Sequence, residues 1–161
     1  MKAPGGPKLA LYEYQGFASE EFPDVFLVGL RWTKLFEIKT NHLDFLQDQK
    51  KKCRIKYIPS RWHGYVPFQG KIEHPTKEYI ECPHLGNKRY YVCEEGIINQ
   101  EELPEGWGLF YVIGKKFKLM QESKMWRPDV HRERDLITHA FRRYASGDTT
   151  GILINTYTMD R

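Results

Sequence analysis

Two short apolar runs, residues 25–30 and 35–38, separated by a polar connection that contains Gly29, constrain this chain more than any other feature. Each run is shorter than a stable helix needs, and the turn residue between them predicts a β-hairpin. Asp24 opens the first strand, and Glu37 and Lys39 close the second. Strands joined by so short a connection lie side by side, which lets the three side chains meet at one end of a sheet. Alternation along the strand puts Glu37 and Lys39 on one face and Ile38 on the other.

Two acids and a lysine gathered on a sheet suit a definite chemistry. A hard divalent cation such as Mg2+ takes one or two carboxylates and keeps several waters, leaving positions for a phosphate oxygen and an attacking water. A lysine beside it can orient that water and offset charge on the phosphate. The competing reading is a surface hairpin whose Glu37 and Lys39 are solvated charges, since E-x-K is a frequent spacing.

Pro23-Asp24, twelve residues, then Glu37-Ile38-Lys39 resembles the PD-(D/E)xK motif of the restriction-endonuclease-like nuclease superfamily. The continuation Thr40-Asn-His-Leu-Asp-Phe-Leu-Gln-Asp48 is similar to the pattern EVK-(T/V)-S-x-x-D-F-x-x-D of small phage, prophage and bacterial members, including MmcB-like DNA-repair proteins. Arg89-Tyr-Tyr-Val-Cys-Glu-Glu-Gly-Ile-Ile and Glu102-Leu-Pro-Glu-Gly-Trp-Gly-Leu-Phe resemble a later segment of that group. The resemblance spans roughly Asp24 to Val112. It implies Asp24, Glu37 and Lys39 as the catalytic cluster. It also implies Mg2+ or Mn2+ held by Asp24, Glu37 and the Ile38 backbone carbonyl. Such nucleases usually begin with a helix that carries a further glutamate to the metal. The 23 residues before Asp24 hardly hold a helix plus a strand, leaving Glu13, Glu20 and Glu21 as candidates for that acid, with Glu133 as a substitute from a C-terminal helix.

At 161 residues the chain is expected to form a single domain over residues 1–161, long enough to bury a core. Residues 1–8 read as a flexible leader, and residues 59–86 as an insertion or lid. No apolar run approaches membrane-spanning length and no signal-peptide pattern opens the chain, so a cytoplasmic protein without a membrane partner is expected. A net charge of +4 permits a nucleic-acid partner without requiring one.

Asn41 is placed to cap a helix that runs through Phe45, Leu46, Gln49 and Cys53, with Asp44 and Asp48 one turn apart on it. Lys50, Lys51, Lys52 and Arg54 make its second half basic. They suit either the negative end of the helix or a phosphate backbone, and Arg61, among aromatics, extends that nucleic-acid surface. Cys53, Cys82 and Cys93 with His63, His74 and His84 offer only one tight pair, Cys82-Pro-His84. Zinc is therefore not expected, and the cysteines read as small buried hydrophobes.

Strands are expected over 90–93, 106–113 and 116–120, the last an edge defended by lysines, with a short helical turn after Ile97. Leu136, Ile137, Ala140, Phe141 and Tyr144 define the apolar face of a helix over 130–145, closed by Gly147. The tail at 151–158 reads as one more strand or as a segment that pairs with another chain, allowing a homodimer or a phage or repair-protein partner.

The expected architecture is α/β, a mixed sheet of four to six strands flanked by helices on both faces, restriction-endonuclease-like. The function implied is metal-dependent phosphodiester hydrolysis in DNA, serving repair, recombination or restriction. The alternatives are a catalytically inactive nucleic-acid-binding module of the same fold and an interaction protein in which E-x-K is incidental.

Overall fold

The computed structural model describes residues 7–14, 22–48 and 85–155. They form β1 (Leu9–Tyr12), β2 (Val25–Val28), β3 (Thr33–Lys39), α1 (His42–Asp48), β4 (Lys88–Glu94), a 3-10 turn (Gln100–Glu102), β5 (Gly108–Ile113), β6 (Lys116–Gln121), α2 (Val130–Ala145) and β7 (Ile152–Ile154). The strands make a single seven-stranded sheet in the order β6-β5-β4-β3-β2-β1-β7. Pairing is parallel within β3-β4-β5 and antiparallel elsewhere. The chain is thus α/β with a mixed sheet, one strand wider than expected. The tail takes the strand form of its two expected readings, and β7 adds to the outer edge of β1.

The hairpin forms where its residues predict it, with Val25 opposite Phe36 and Val28 opposite Thr33. The Gly29 N–H donates to the Trp32 carbonyl at 2.8 Å and closes the turn. The Trp32 ring lies against Gly29, where a β-carbon would collide with it.

Because the β3-β4-β5 register is continuous, one face of the sheet collects Phe26, Leu35, Tyr91, Cys93, Leu109 and Tyr111. Phe45 of α1 and Leu136 and Ala140 of α2 are buried in that same cluster. Both described helices therefore cover one face, contrary to the expectation of helices on both. Val25, Leu27, Phe36, Ile38, Val92, Phe110 and Phe117 on the other face line an apolar cavity of about 330 Å³.

α2 spans Val130–Ala145, the range expected. The Asp129 carboxylate accepts from the His131 and Arg132 N–H groups at its start, and Gly147 follows with φ +92°. Its buried residues are Glu133, Leu136 and Ala140, whereas Phe141 and Tyr144, expected inside, are exposed. α1 is capped as expected by Asn41, whose side-chain oxygen accepts from the Asp44 N–H at 2.8 Å. Leu46, also expected inside, is exposed, and Asp48 is buried beside Phe45 instead.

At the end of the expected leader, Lys8 donates its N–H to Val28 at 2.7 Å and so joins the sheet. Near the end of the expected insertion, Leu85 belongs to the core. Residues 1–6 and 59–84 lie outside the described residues. Among the described residues, no helix is long and apolar enough to cross a membrane.

Candidate active site

Side chains on β3 alternate, so Glu37 and Lys39 enter the helix-covered face while Ile38 points to the other and is 47% exposed. The Lys39 ammonium lies 3.2 Å from Glu37 Oε2 and 3.2 Å from Asp48 Oδ1. Asp48 reaches it from the last turn of α1, and its other oxygen accepts from the Tyr91 hydroxyl at 2.7 Å. Tyr91 is the register partner of Glu37 on β4, which brings its side chain to the same face. Glu37, Lys39 and Asp48 are all at least 96% buried. Burial of charge at this depth is tolerated when partners are close and hydrogen-bonded, as they are here.

Asp24 stands just before β2, where Pro23 can offer no N–H to continue the ladder. Its Oδ2 accepts from the Ile38 N–H at 2.6 Å, taking the place of a backbone acceptor. The carboxylate is thereby anchored on the peptide that joins Glu37 to Ile38. In a strand the N–H and C=O of one residue leave on the same side, so the Ile38 carbonyl is directed toward the Asp24 side as well. Asp24, Glu37 and Lys39 thus share one end of the hairpin, with Glu37 and Lys39 in direct contact and Asp24 tied to the backbone between them.

This donor set can be tested against the cation that the motif implies. A hard cation that keeps water and substrate oxygens for most of its shell needs one or two carboxylates and an occasional carbonyl. Asp24, Glu37 and the Ile38 carbonyl match that sparse requirement in number and hardness. Among the described residues, no three Asp, Glu, His or Cys side chains converge on one point, so a cation fully caged by protein does not fit. Cys93 is buried with a free thiol, and burial pushes that thiol above its ordinary value.

The remaining candidates divide sharply. Glu13 is exposed, and its N–H donates to the Asp24 carbonyl at 2.9 Å, so it neighbours the site through its backbone. Glu133 lies at the opposite end of β3, where its Oε1 accepts from the Thr33 hydroxyl and the Gly86 N–H, each at 2.8 Å. It is therefore not the missing acid. Asp44 stays outside the buried cluster. Glu20, Glu21, Lys50, Lys51, Lys52, Arg54, Arg61, Cys53, Cys82 and His84 lie outside the described residues.

Tyr91 carries no sequence signal beyond its place in a buried strand; the β3-β4 register is what selects it. A second polar group stands at the same end of the sheet. His42 Nε2 is 2.7 Å from Glu102 Oε1, and Glu102 Oε2 accepts from the Asn99 N–H at 2.9 Å and its side-chain amide at 3.0 Å. The Asn99 backbone, followed by the His42 hydrogen bond, holds the Glu102 carboxyl below its usual range.

No family model matches the chain, and no curated protein matches it. Among solved structures it is similar to the SPO1766 protein of unknown function from Silicibacter pomeroyi. Identity is 19% and the TM-score 0.52, over 96% of this chain and 86% of that one. A likeness at this identity speaks for the arrangement of strands and helices alone.

Proposed function

We propose that this protein is a metal-dependent nuclease that hydrolyses phosphodiester bonds in DNA, in phage or bacterial repair, recombination or restriction. The observation that carries the reading is the placement of Glu37, Lys39 and Asp48 together on the buried face at the C-terminal end of β3, with Asp24 fixed beside them. Crevices outside the carboxyl ends of parallel strands are where open α/β sheets bind ligands. The resemblance of the hairpin to PD-(D/E)xK supports the same assignment.

Asp24, Glu37 and the Ile38 carbonyl would hold Mg2+ or Mn2+, which supplies Lewis-acid stabilisation of charge on phosphorus and the leaving oxygen. Lys39 orients the attacking water and offsets charge on the phosphate. Asp48, itself fixed by Tyr91, sets where the Lys39 ammonium stands. A second reading is favoured by the closure of the same network: buried charges that already satisfy one another suit a DNA-binding module that keeps the fold without turnover.

The test is cleavage of supercoiled, linear, single-stranded and branched DNA with Mg2+, Mn2+ or EDTA, comparing the native protein with Glu37→Gln and Lys39→Ala. Metal-dependent cutting abolished by both substitutions is expected. DNA retention on a gel without cutting in any metal would transfer the assignment to the binding module. Absence of both would leave an interaction protein.

A further inference from the structure

In the His42–Glu102 pair each member is held from more than one side. Glu102 closes the 3-10 turn, and its carboxylate receives the Asn99 N–H, the Asn99 amide and the His42 ring at 2.9, 3.0 and 2.7 Å. The His42 ring also packs against Phe45, with centroids 5.9 Å apart. Such a carboxylate cannot turn away without giving up the cap of its own turn. With Nε2 engaged, the ring can accept or release a proton only at Nδ1, for which no partner is present among the described residues.

Location gives that nitrogen its meaning. His42 is three residues beyond Lys39 and opens α1, the helix that delivers Asp48 to the buried cluster. The turn that carries Glu102 follows β4, whose end lies beside the end of β3 through the Lys39–Cys93 register. Both halves of the pair therefore stand at the carboxyl end of the parallel strands, with the ring 46% exposed and Glu37, Lys39 and Asp48 buried. Lys39 already engages two carboxylates, so the buried set holds no donor committed to the oxygen that departs.

We propose that His42, oriented by Glu102, is the general acid that protonates the departing sugar oxygen of the phosphodiester, an inference that rests on the nuclease reading above. In this step the water oxygen forms a bond to phosphorus and the bond from phosphorus to the sugar oxygen breaks. The electron pair stays on that oxygen, which takes the proton from His42 Nδ1. The proton of the attacking water passes to solvent, and solvent returns one to the imidazole. Glu102 is a positioning residue that fixes the ring and balances its charge while it is protonated. Among the described neighbours, Glu102 is the charged group hydrogen-bonded to the ring, and Phe45 supplies an aromatic wall.

The experiment measures the pH dependence of DNA cleavage by the native protein and by His42→Gln, His42→Ala, Glu102→Gln and Glu37→Gln. His42→Gln is expected to lower kcat by about 100-fold or more with little change in KM, and to remove the fall in rate on the alkaline side. Added imidazole should restore part of the His42→Ala rate, which a purely structural role would not allow. Glu102→Gln should cost less rate than loss of the ring. A native pH profile and rate in His42→Gln overturns the proposal while the nuclease reading stands, provided that Glu37→Gln is dead. A native protein that cuts no DNA form overturns both.

Discussion

β3 begins and ends in buried polar clusters on the same face of the sheet, and the two are satisfied in different ways. At its start a single carboxylate, Glu133 of α2, accepts from the Thr33 hydroxyl and the Gly86 N–H, while the Asn87 side-chain oxygen accepts from the Thr33 N–H at 2.9 Å. The Gly86 N–H is fixed by the backbone, and the Thr33 hydroxyl is shared between Glu133 and the Asn87 side-chain oxygen at 3.1 Å, so the cluster fastens α2 to the sheet. At its end the Lys39 ammonium gathers Glu37 and Asp48, a buried set of three charges with each carboxylate 3.2 Å from the ammonium. Damage to the first cluster should appear as lost stability, and damage to the second as lost activity.

The largest expected effect separates the two directly. Glu133→Ala strands the buried Gly86 N–H, leaves the Thr33 hydroxyl only its Asn87 acceptor, and should lower unfolding free energy by about 2–4 kcal/mol, measured by urea denaturation, with cleavage retained wherever the protein stays folded. Glu37→Gln keeps the size of the side chain and an oxygen toward Lys39. Because Asp48 still offsets the buried Lys39 charge, the substitution should cost less stability than Glu133→Ala, about 1–2 kcal/mol, while abolishing cleavage. Equal destabilisation by the two would erase the distinction.

A smaller loss tests whether the sheet between the clusters transmits strain. Gly108 faces the Tyr90 ring and the Gln121 carbonyl, with no room for a β-carbon. Gly108→Ala should cost about 1–3 kcal/mol in the same denaturation experiment. A neutral result would mean that Tyr90 moves freely.

The smallest effect sharpens the chemistry of the first cluster. Burial raises the Glu133 carboxyl above its unfolded value, and the hydrogen bonds from Gly86 and Thr33 pull it back only in part. A carboxyl raised on folding contributes stability that is present below the unfolded value, near about 4.3, and is lost as pH climbs through the folded value. The native protein should therefore lose stability relative to Glu133→Gln on going from acid to neutral pH, because the amide can accept the same bonds without charging. Parallel stability curves for the two would show that Glu133 is solvated and not desolvated.

Local pattern made the hairpin, the edge strand and the full extent of α2 legible, because alternation, caps and glycines act within a few residues. The Glu37–Lys39 contact followed from the period of a strand alone. The third member did not. Asp48 is chosen by Lys39 and by Tyr91, which is 43 residues away, and no periodicity reports a pairing that depends on which strand lies beside β3. The buried side of α2 was misjudged for a related reason. Phe141 and Tyr144 have the right helical spacing, yet they flank a groove of about 100 Å³ against β1 and β7, where the sheet stops after a three-residue strand. Glu133 is drawn inside by Thr33 and Gly86, donors that belong to other elements.

The strand order carries a consequence for how the molecule is assembled. Among the described strands, from β1 to β6 each pairs with the next, so the sheet can grow by successive additions along the polypeptide. Of the described strands, β7 breaks that rule, pairing Ile154 with Leu9 across nearly the whole chain. Closing so long a loop costs entropy that a three-residue strand recovers poorly. The terminal strand is thus the last to join and the first to leave, and the exchange of its amide protons with solvent should report the earliest opening of the fold.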